Sequence, residues 1–324
     1  MSIMSRRTVL TAAGAAVTIP VAGSGARAAA PAAGRQSPGV YRYKVGSFEV
    51  TALTDGLARR PLDAGFVKNA PLEDVRKALE DAFIPTETLP ITFTALVVNT
   101  GSRLVLIDAG TGGRLAPTAG QLYENLAAAG VDPKAVDTVL ISHFHPDHIG
   151  GIRLKDGTLA FPNAEVVVPE AEWDFWMDEG AMSRAPAGLV NAFKIVRAVF
   201  DPMAKDVRRY KGDTEPAPGI YAIPAYGHTP GHMAFRIASE KEQLLVWSDV
   251  TNHPALFVRN PGWHAIFDMD PEMAEETRRR MLDMAATDKL LVSGYHFPFP
   301  AVGHIAQRSV REFAFVPEQW NPAL

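Results

Sequence analysis

The sequence contains no cysteine. That excludes disulfides, thiolate metal ligands and any thiol nucleophile, so stability must come from burial and a metal could be held only by nitrogen and oxygen. There is no Gly/Ser linker, no block of like charge and no internal repeat, so nothing divides the body of the chain into separate domains. Nor is either charge sign in large excess. With 47% hydrophobic and 21% charged residues, the composition is that of a globular protein with ample core material. The net charge of −4 gives no footing for nucleic acid phosphates.

Long apolar runs are also absent. The one mild run follows Ser5-Arg6-Arg7-Thr8-Val9-Leu10, extends through Val21 and ends at Ala26-Arg27-Ala28, a small-residue cleavage pattern. It resembles a twin-arginine export signal, and it is short and rich in Ala, Gly and Thr where a membrane anchor would be longer and more apolar. Residues 1–28 are therefore expected to be a signal peptide, 29–38 a flexible segment and 39–324 a single domain. Removing residues 1–28 takes away Arg6, Arg7 and Arg27 and no acid, which turns −4 into −7. The expected location is the periplasm or the exterior, with no stable membrane anchor after processing and no nucleic-acid partner.

What the sequence does contain is His143-Phe144-His145-Pro146-Asp147-His148, placed directly after the apolar run Thr138 to Ile141. Three of the nine histidines of this 324-residue chain fall in those six positions, against the plain alternative of a histidine-rich polar loop. Neutral imidazole and carboxylate suit a divalent transition metal such as zinc, and so dense a set leaves few arrangements other than one or two ions.

Apolar spacing places this segment among strands and helices. Tyr41 to Val45 and Phe48 to Leu53 flank Gly46-Ser47 as a hairpin, and Thr94 to Val98 with Leu104 to Ile107 form a second. Leu72, Val75, Leu79 and Phe83 recur at helical spacing, and Leu115 to Ala129 is expected to be a helix stopped by Gly130. Further strands are expected at Glu165 to Val168, Val207 to Tyr210, Ile220 to Ile223, Met233 to Ala238, Gln243 to Trp247 and, as the last, Leu290 to Ser293. Helices are expected over Glu170 to Met177, Leu189 to Phe200 and Pro271 to Ala286, the last capped by Asp270 and filling core with Met273, Met281 and Met284. Hairpins first, then strands alternating with helices, argue an α/β fold of two sheets with helices outside them.

Further candidate ligands each follow an apolar strand: His228 in Gly227-His228-Thr229-Pro230-Gly231-His232, Asp249 after Ser248, and His296 after Gly294-Tyr295. Polar side chains at successive strand ends meet along one edge of a layered fold.

These motifs, with Asp108 in Leu106-Ile107-Asp108-Ala109-Gly110, resemble the metallo-β-lactamase superfamily. The resemblance implies an αβ/βα four-layer sandwich with a binuclear metal site. It implies that His143, His145 and His228 hold one ion, that Asp147, His148 and His296 hold the other, that Asp249 bridges them, and that Asp108 orients a ligand histidine from behind. The cofactors implied are two divalent cations, zinc first, with manganese, cobalt or iron as alternatives. Such a pair can share and activate one water for attack on a carbonyl or phosphoryl group, and Asp147 and Asp249 are the candidates for handling protons.

Within that superfamily the chain is similar to the methyl parathion hydrolase family. Gly39-Val40-Tyr41-Arg42, Phe48 to Leu53, Leu159 to Ala164, Phe297-Pro298-Phe299-Pro300 and Gly303-His304-Ile305 carry the likeness. It implies hydrolysis of phosphotriesters, aryl esters or lactones of small apolar molecules, a pocket containing Trp176, Phe193 and Leu115, and a homodimer. Leu115 stands where an aromatic residue is expected. His232 and His304 are expected to be structural, and His253 and His264 to lie at the surface or a rim.

Competing readings are an acyl-homoserine lactonase, in which a tyrosine usually stands where this chain has Asn252, and a non-catalytic periplasmic metal-binding protein on the same scaffold. In the lactonase reading Tyr295 or a metal could stabilise the oxyanion. Antibiotic β-lactamases either need a cysteine ligand or lack the carboxylate that Asp249 provides. Glyoxalase-type thioesterases add a longer C-terminal region than the 28 residues after His296.

Overall fold

A computed structural model describes residues 32–309 and 312–324. The signal-peptide reading of residues 1–28 lies outside them. Residues Pro38 to Leu324 form one compact unit. No helix among the described residues is long and apolar enough to cross a membrane.

The first half builds a seven-stranded sheet. In chain order its elements are β1 (Val40–Val45), β2 (Phe48–Pro61), α1 (Leu72–Asp81), β3 (Thr88–Asn99), β4 (Leu104–Ile107), α2 (Leu122–Ala128), β5 (Thr138–Leu140), α3 (Pro146–Ile149), β6 (Glu165–Pro169), α4 (Glu170–Trp176), α5 (Glu179–Arg184), α6 (Ala187–Phe200) and β7 (Arg208–Tyr210). Strands β1 to β4 pair antiparallel and β4 to β7 parallel, in sequence order. The second half adds β8 (Ile220–Pro224), β9 (Met233–Ser239), β10 (Glu242–Ser248), α7 (Pro271–Thr287), β11 (Leu291–Gly294), β12 (Val302–Gln307) and β13 (Phe313–Pro317). They form a six-stranded sheet in the order β13-β12-β11-β10-β9-β8.

Strand alternation explains the layering, because successive side chains point to opposite faces. Val105, Ile107, Val167, Leu244 and Val246 meet between the sheets in one buried cluster. Their neighbours Leu106, Val166 and Val168 point the other way, onto Phe144, Trp176, Phe193 and Phe200 beneath the first group of helices. Leu245 and Trp247 likewise point outward onto Met281, Leu282 and Ala285 of α7. Helices, sheet, sheet and helix give the four-layer αβ/βα sandwich. Asp270 caps α7 by accepting from Met273 N at 3.0 Å, and Pro271 follows at its first turn.

Several local expectations require correction. Strands β2 and β3 are longer than expected, since their pairing continues past a bulge between Thr54 and Gly56 as far as Pro61 and Thr88. The helix expected from Leu115 starts only at Leu122. Pro117 and Gly120, the latter at φ +92°, hold the intervening segment out of helix, and Leu115 is 51% exposed. Phe83 does not join the apolar face of α1: it lies past the helix end at φ 59° and is exposed. Met281 is buried as expected, whereas Met273 in the first turn of α7 is exposed. Leu291–Gly294 is not the last strand, for β12 and β13 extend the sheet. The six-residue helix α5 and a π-helical turn at Pro254–Val258 are too short to show a period.

Candidate metal centre

The ligand residues arrive from the ends of strands in both sheets. After β5, Ile141 and Ser142 lead into His143. His145 then stands extended as the N-cap of α3, with Pro146 at its first position, so Asp147 and His148 ride on a single turn of helix. His228 follows β8 across Gly227, whose φ of +115° and whose contact with the Ala274 backbone leave no room for a side chain. Asp249 follows Ser248, and Ser248 (φ 48°) and Asp108 (φ 59°) are both left-handed at the strand ends that aim these carboxylates. Such a conformation costs a non-glycine residue about 1 kcal/mol or more, so the surrounding contacts must hold it.

Two groups of side chains converge: His143, His145, His228 and Asp249, and beside them Asp147, His148 and His296, with the ligand atoms of each group within 4.8 Å of one another. Asp249 belongs to both. Its Oδ2 is 3.3 Å from His228 Nε2 and 4.0 Å from His143 Nε2, while the same carboxylate lies 3.3 Å from His148 Nε2 and 2.9 Å from His296 Nε2. Asp147 Oδ2 stands 3.5 Å from both His148 Nε2 and His296 Nε2. His145 turns its Nδ1 inward, 2.9 Å from His228 Nε2.

The donor set fits two divalent cations on three observations. His143 Nε2, His148 Nε2 and Asp249 Oδ1 are buried and have no hydrogen-bond partner, a state that a folded protein rarely keeps unless another group completes it. The chemistry is imidazole and carboxylate alone, as borderline and hard cations prefer. Finally, four of the five histidines have their outward nitrogen fixed. His148 Nδ1 pairs with Asp108 Oδ2 at 2.8 Å, His228 Nδ1 with Asp268 Oδ1 at 2.9 Å, His296 Nδ1 with Thr92 O at 2.8 Å and His143 Nδ1 with Ser142 Oγ at 3.0 Å. Those partners select the tautomer that presents the inner nitrogen to a metal.

Three residues that the sequence pattern did not single out complete this support. Asp268 accepts from His228 and, at 2.9 Å, from Arg278 Nη2. Arg278 is itself buried and donates to the carbonyls of Val250, Pro261 and Trp263. Glu172 on α4, fully buried, accepts from Phe144 N at 2.8 Å and Gly231 N at 2.6 Å, clamping both ligand loops, and from Trp176 Nε1 at 2.9 Å. An acid one turn from a tryptophan on an apolar helix face was the one available signal for Glu172. Lone acids such as Asp268 carry none. His232 holds the bridging residue, accepting Asp249 N at 3.2 Å while its Nδ1 donates to Ala225 O.

Protonation follows from this crowding. Burial pushes His143 and His145 well below the ordinary imidazole range, and neighbouring imidazoles push the same way. Burial also works against His148, but Asp249, Asp108 and Asp147 outweigh it and hold that imidazole well above its usual range. His228 is lifted to about 9 by Asp249 and Asp268 despite burial. Asp249 is held far below its usual range, since His296 and His148 outweigh its desolvation. The site thus demands positive charge, which protons or metal ions can supply.

The ligands form the floor of a cavity of about 420 Å³. Its floor includes His145, Asp147, His228, Asp249 and His296, and its walls Ala58, Ile91, Phe93, Leu115 and Phe267. Of the expected pocket residues Leu115 lines this cavity, whereas Trp176 and Phe193 do not. Both are fully buried and pack against each other with ring centres 4.7 Å apart and planes tilted by 54°, with Trp176 tied to Glu172. Tyr295 cannot serve an oxyanion in this arrangement, because its hydroxyl donates to Asp147 O at 2.6 Å and its ring covers His148. His253, expected at the surface or a rim, is buried, and burial with His296 nearby lowers its pKa to about 4. His264 pairs with Glu275 and His304 with Glu318, both away from the cavity.

Fold and site together define a class of protein with two adjoining histidine and carboxylate groups, able to hold metal, at the mouth of a two-sheet sandwich. Residues 90–296 match the family model of the metallo-beta-lactamase superfamily, and the chain belongs to that superfamily. An N-acyl homoserine lactonase from Bacillus sp. is 26% identical over 168 residues, which make up 52% of this chain. The chain spans only 58% of the length of that curated relative. Among solved structures, the hydrolase AbOPH of the beta lactamase superfamily is 29% identical with a TM-score of 0.83, covering 89% of this chain and all of its own. AidC, a dizinc quorum-quenching lactonase solved with an N-hexanoyl-L-homoserine product, is 26% identical with a TM-score of 0.82, covering 88% of this chain and 99% of its own.

Proposed function

We propose that this chain hydrolyses lactone, aryl ester or phosphotriester bonds of small, largely apolar molecules. The observation that carries the reading is an apolar cavity whose floor is the double ligand group. Two divalent cations bound there would activate water and polarise the oxygen of the bond attacked. The chain's own residues do the rest. Ile91, Phe93, Leu115 and Phe267 take the apolar body of a substrate out of water and aim its polar end at the floor. Asp249, locked by four histidines and by His232, stays ionised and fixes the spacing of the two ligand groups. Asp147 is the more accessible carboxylate at the floor, and it is the group placed to carry the proton to the leaving oxygen.

Lactones are favoured among these bonds by the kinship with N-acyl homoserine lactonases and AidC. Asn252 lines the cavity, its buried Oδ1 has no protein partner, and its Nδ2 is the group that would donate to the substrate's carbonyl oxygen. Turnover of N-hexanoyl-homoserine lactone, an aryl ester and an aryl phosphotriester by the metal-analysed protein tests the reading. We expect the lactone to be cleaved fastest and Asp249→Asn to abolish all activity. No turnover of any of the three by protein with two bound metals per chain would leave the non-catalytic reading standing. We further propose export on residues 1–28, which a reporter fused to that segment would test by its dependence on Arg6 and Arg7.

A further inference from the structure

The projecting arm of β2 brings a second recognition element to the cavity. Ala58, Arg59, Arg60 and Pro61 of that arm all line the cavity, and alternation puts Ala58 and Arg60 on one face of it while Arg59, on the other face, is exposed. The Arg60 guanidinium lies 5.6 Å from the centre of the Phe267 ring, itself a cavity wall, and 5.9 Å from that of Phe66. Among the described residues it forms no ion pair and no side-chain hydrogen bond, and its Nε is buried without a partner. Other arginines of this protein find carboxylates: Arg208 with Glu165, Arg259 with Asp81, Arg278 with Asp268. A guanidinium set on two ring faces keeps its plane fixed and is partly stripped of water. Its remaining donors suit a planar oxyanion presented edge-on.

We propose that Arg60 is a substrate-positioning residue that receives a carboxylate, or an oxyanion of similar shape, at the end of the substrate away from the metal ligands. The preferred substrates are then acidic esters or lactones, with an apolar middle against Phe267 and Ile91 and a charged tail on Arg60. This rests on the hydrolase reading for the term substrate, but its test does not need turnover.

The test is equilibrium binding of straight-chain α,ω-dicarboxylates, over a range of lengths, compared with the matching monocarboxylates on the metal-loaded protein. Both kinds can engage the metals through one carboxylate, so only the second carboxylate reports on Arg60. At the chain length that spans the cavity the dicarboxylate should bind about tenfold more tightly or better. Arg60→Gln and Arg60→Met, the latter keeping an apolar stem on the rings, should erase that advantage and leave monocarboxylate binding and melting temperature unchanged. Arg60→Lys should keep only part of it, having charge without the fork. The proposal is overturned if no dicarboxylate outbinds its monocarboxylate in the wild type, or if the advantage survives in Arg60→Gln. Failure of the hydrolase reading looks different: no ester or lactone turned over, with the dicarboxylate preference intact.

Discussion

Asp268 offers the sharpest test of how the metal centre is supported. It is buried between the His228 imidazole, Nδ1 at 2.9 Å, and the Arg278 guanidinium, Nη2 at 2.9 Å, and belongs to neither group of candidate metal ligands. Asp268→Ala leaves the Arg278 charge buried with only carbonyl partners, a change of the kind that costs about 3–5 kcal/mol. It also frees the His228 ring, and loss of such an outer partner typically lowers metal affinity by about 10–100-fold. The pH dependence has a definite sign. Burial alone would raise the Asp268 pKa, but His228 and Arg278 pull it below its usual 3.8, so its contribution is complete above that pH and vanishes as pH falls through the lower folded value. Urea unfolding of the metal-free wild type and variant should therefore differ by several kcal/mol at neutral pH and converge in strong acid. Chelator competition on the same pair supplies the affinity. A variant within about 1 kcal/mol of wild type at pH 7 and with unchanged metal affinity would refute the reasoning.

Three other outcomes can be checked independently. Apparent metal affinity should climb with pH through the range from 6.5 to about 9, because cation binding must displace the proton that Asp249 and Asp268 hold on His228 and the one that Asp249, Asp108 and Asp147 hold on His148; a flat chelator titration over that range contradicts this. Asn252→Ala should lower kcat on the best substrate by about tenfold to a hundredfold, with metal content unchanged, as steady-state kinetics and elemental analysis would show. Trp176→Phe should cost about 1.5–3 kcal/mol in urea unfolding by removing the indole N–H from the buried Glu172 carboxylate, while KM stays the same because the ring lies outside the cavity.

The convergence of the candidate ligands was legible in the sequence because each group of them follows the end of an apolar strand, where a histidine or aspartate has no structural excuse. His143, His145, Asp147, His148, His228, Asp249 and His296 indeed meet in space. The layered architecture was legible for the same reason, in doubly buried runs such as Val166-Val167-Val168. What periodicity could not reach was everything decided by contact across the chain. Asp268, Arg278 and Glu172 are single charges whose partners lie elsewhere in the sequence. The length of the β2 and β3 arms depended on a bulge at Thr54/Gly56 that reads locally as a turn. Trp176 and Phe193 have pocket chemistry, yet whether an aromatic ring faces a cavity or a core is settled by packing alone.

The ligands are divided between the two sheets: His143 to His148 follow β5 of one, and His228, Asp249 and His296 follow β8, β10 and β11 of the other. A cation held by His143, His145 and His228 would therefore clasp the two sheets together at the mouth of the sandwich. In a chain that owns no sulfur bridge, such a clasp would add to the apolar contacts between the sheets, so removal of metal should lower the temperature at which the two halves part.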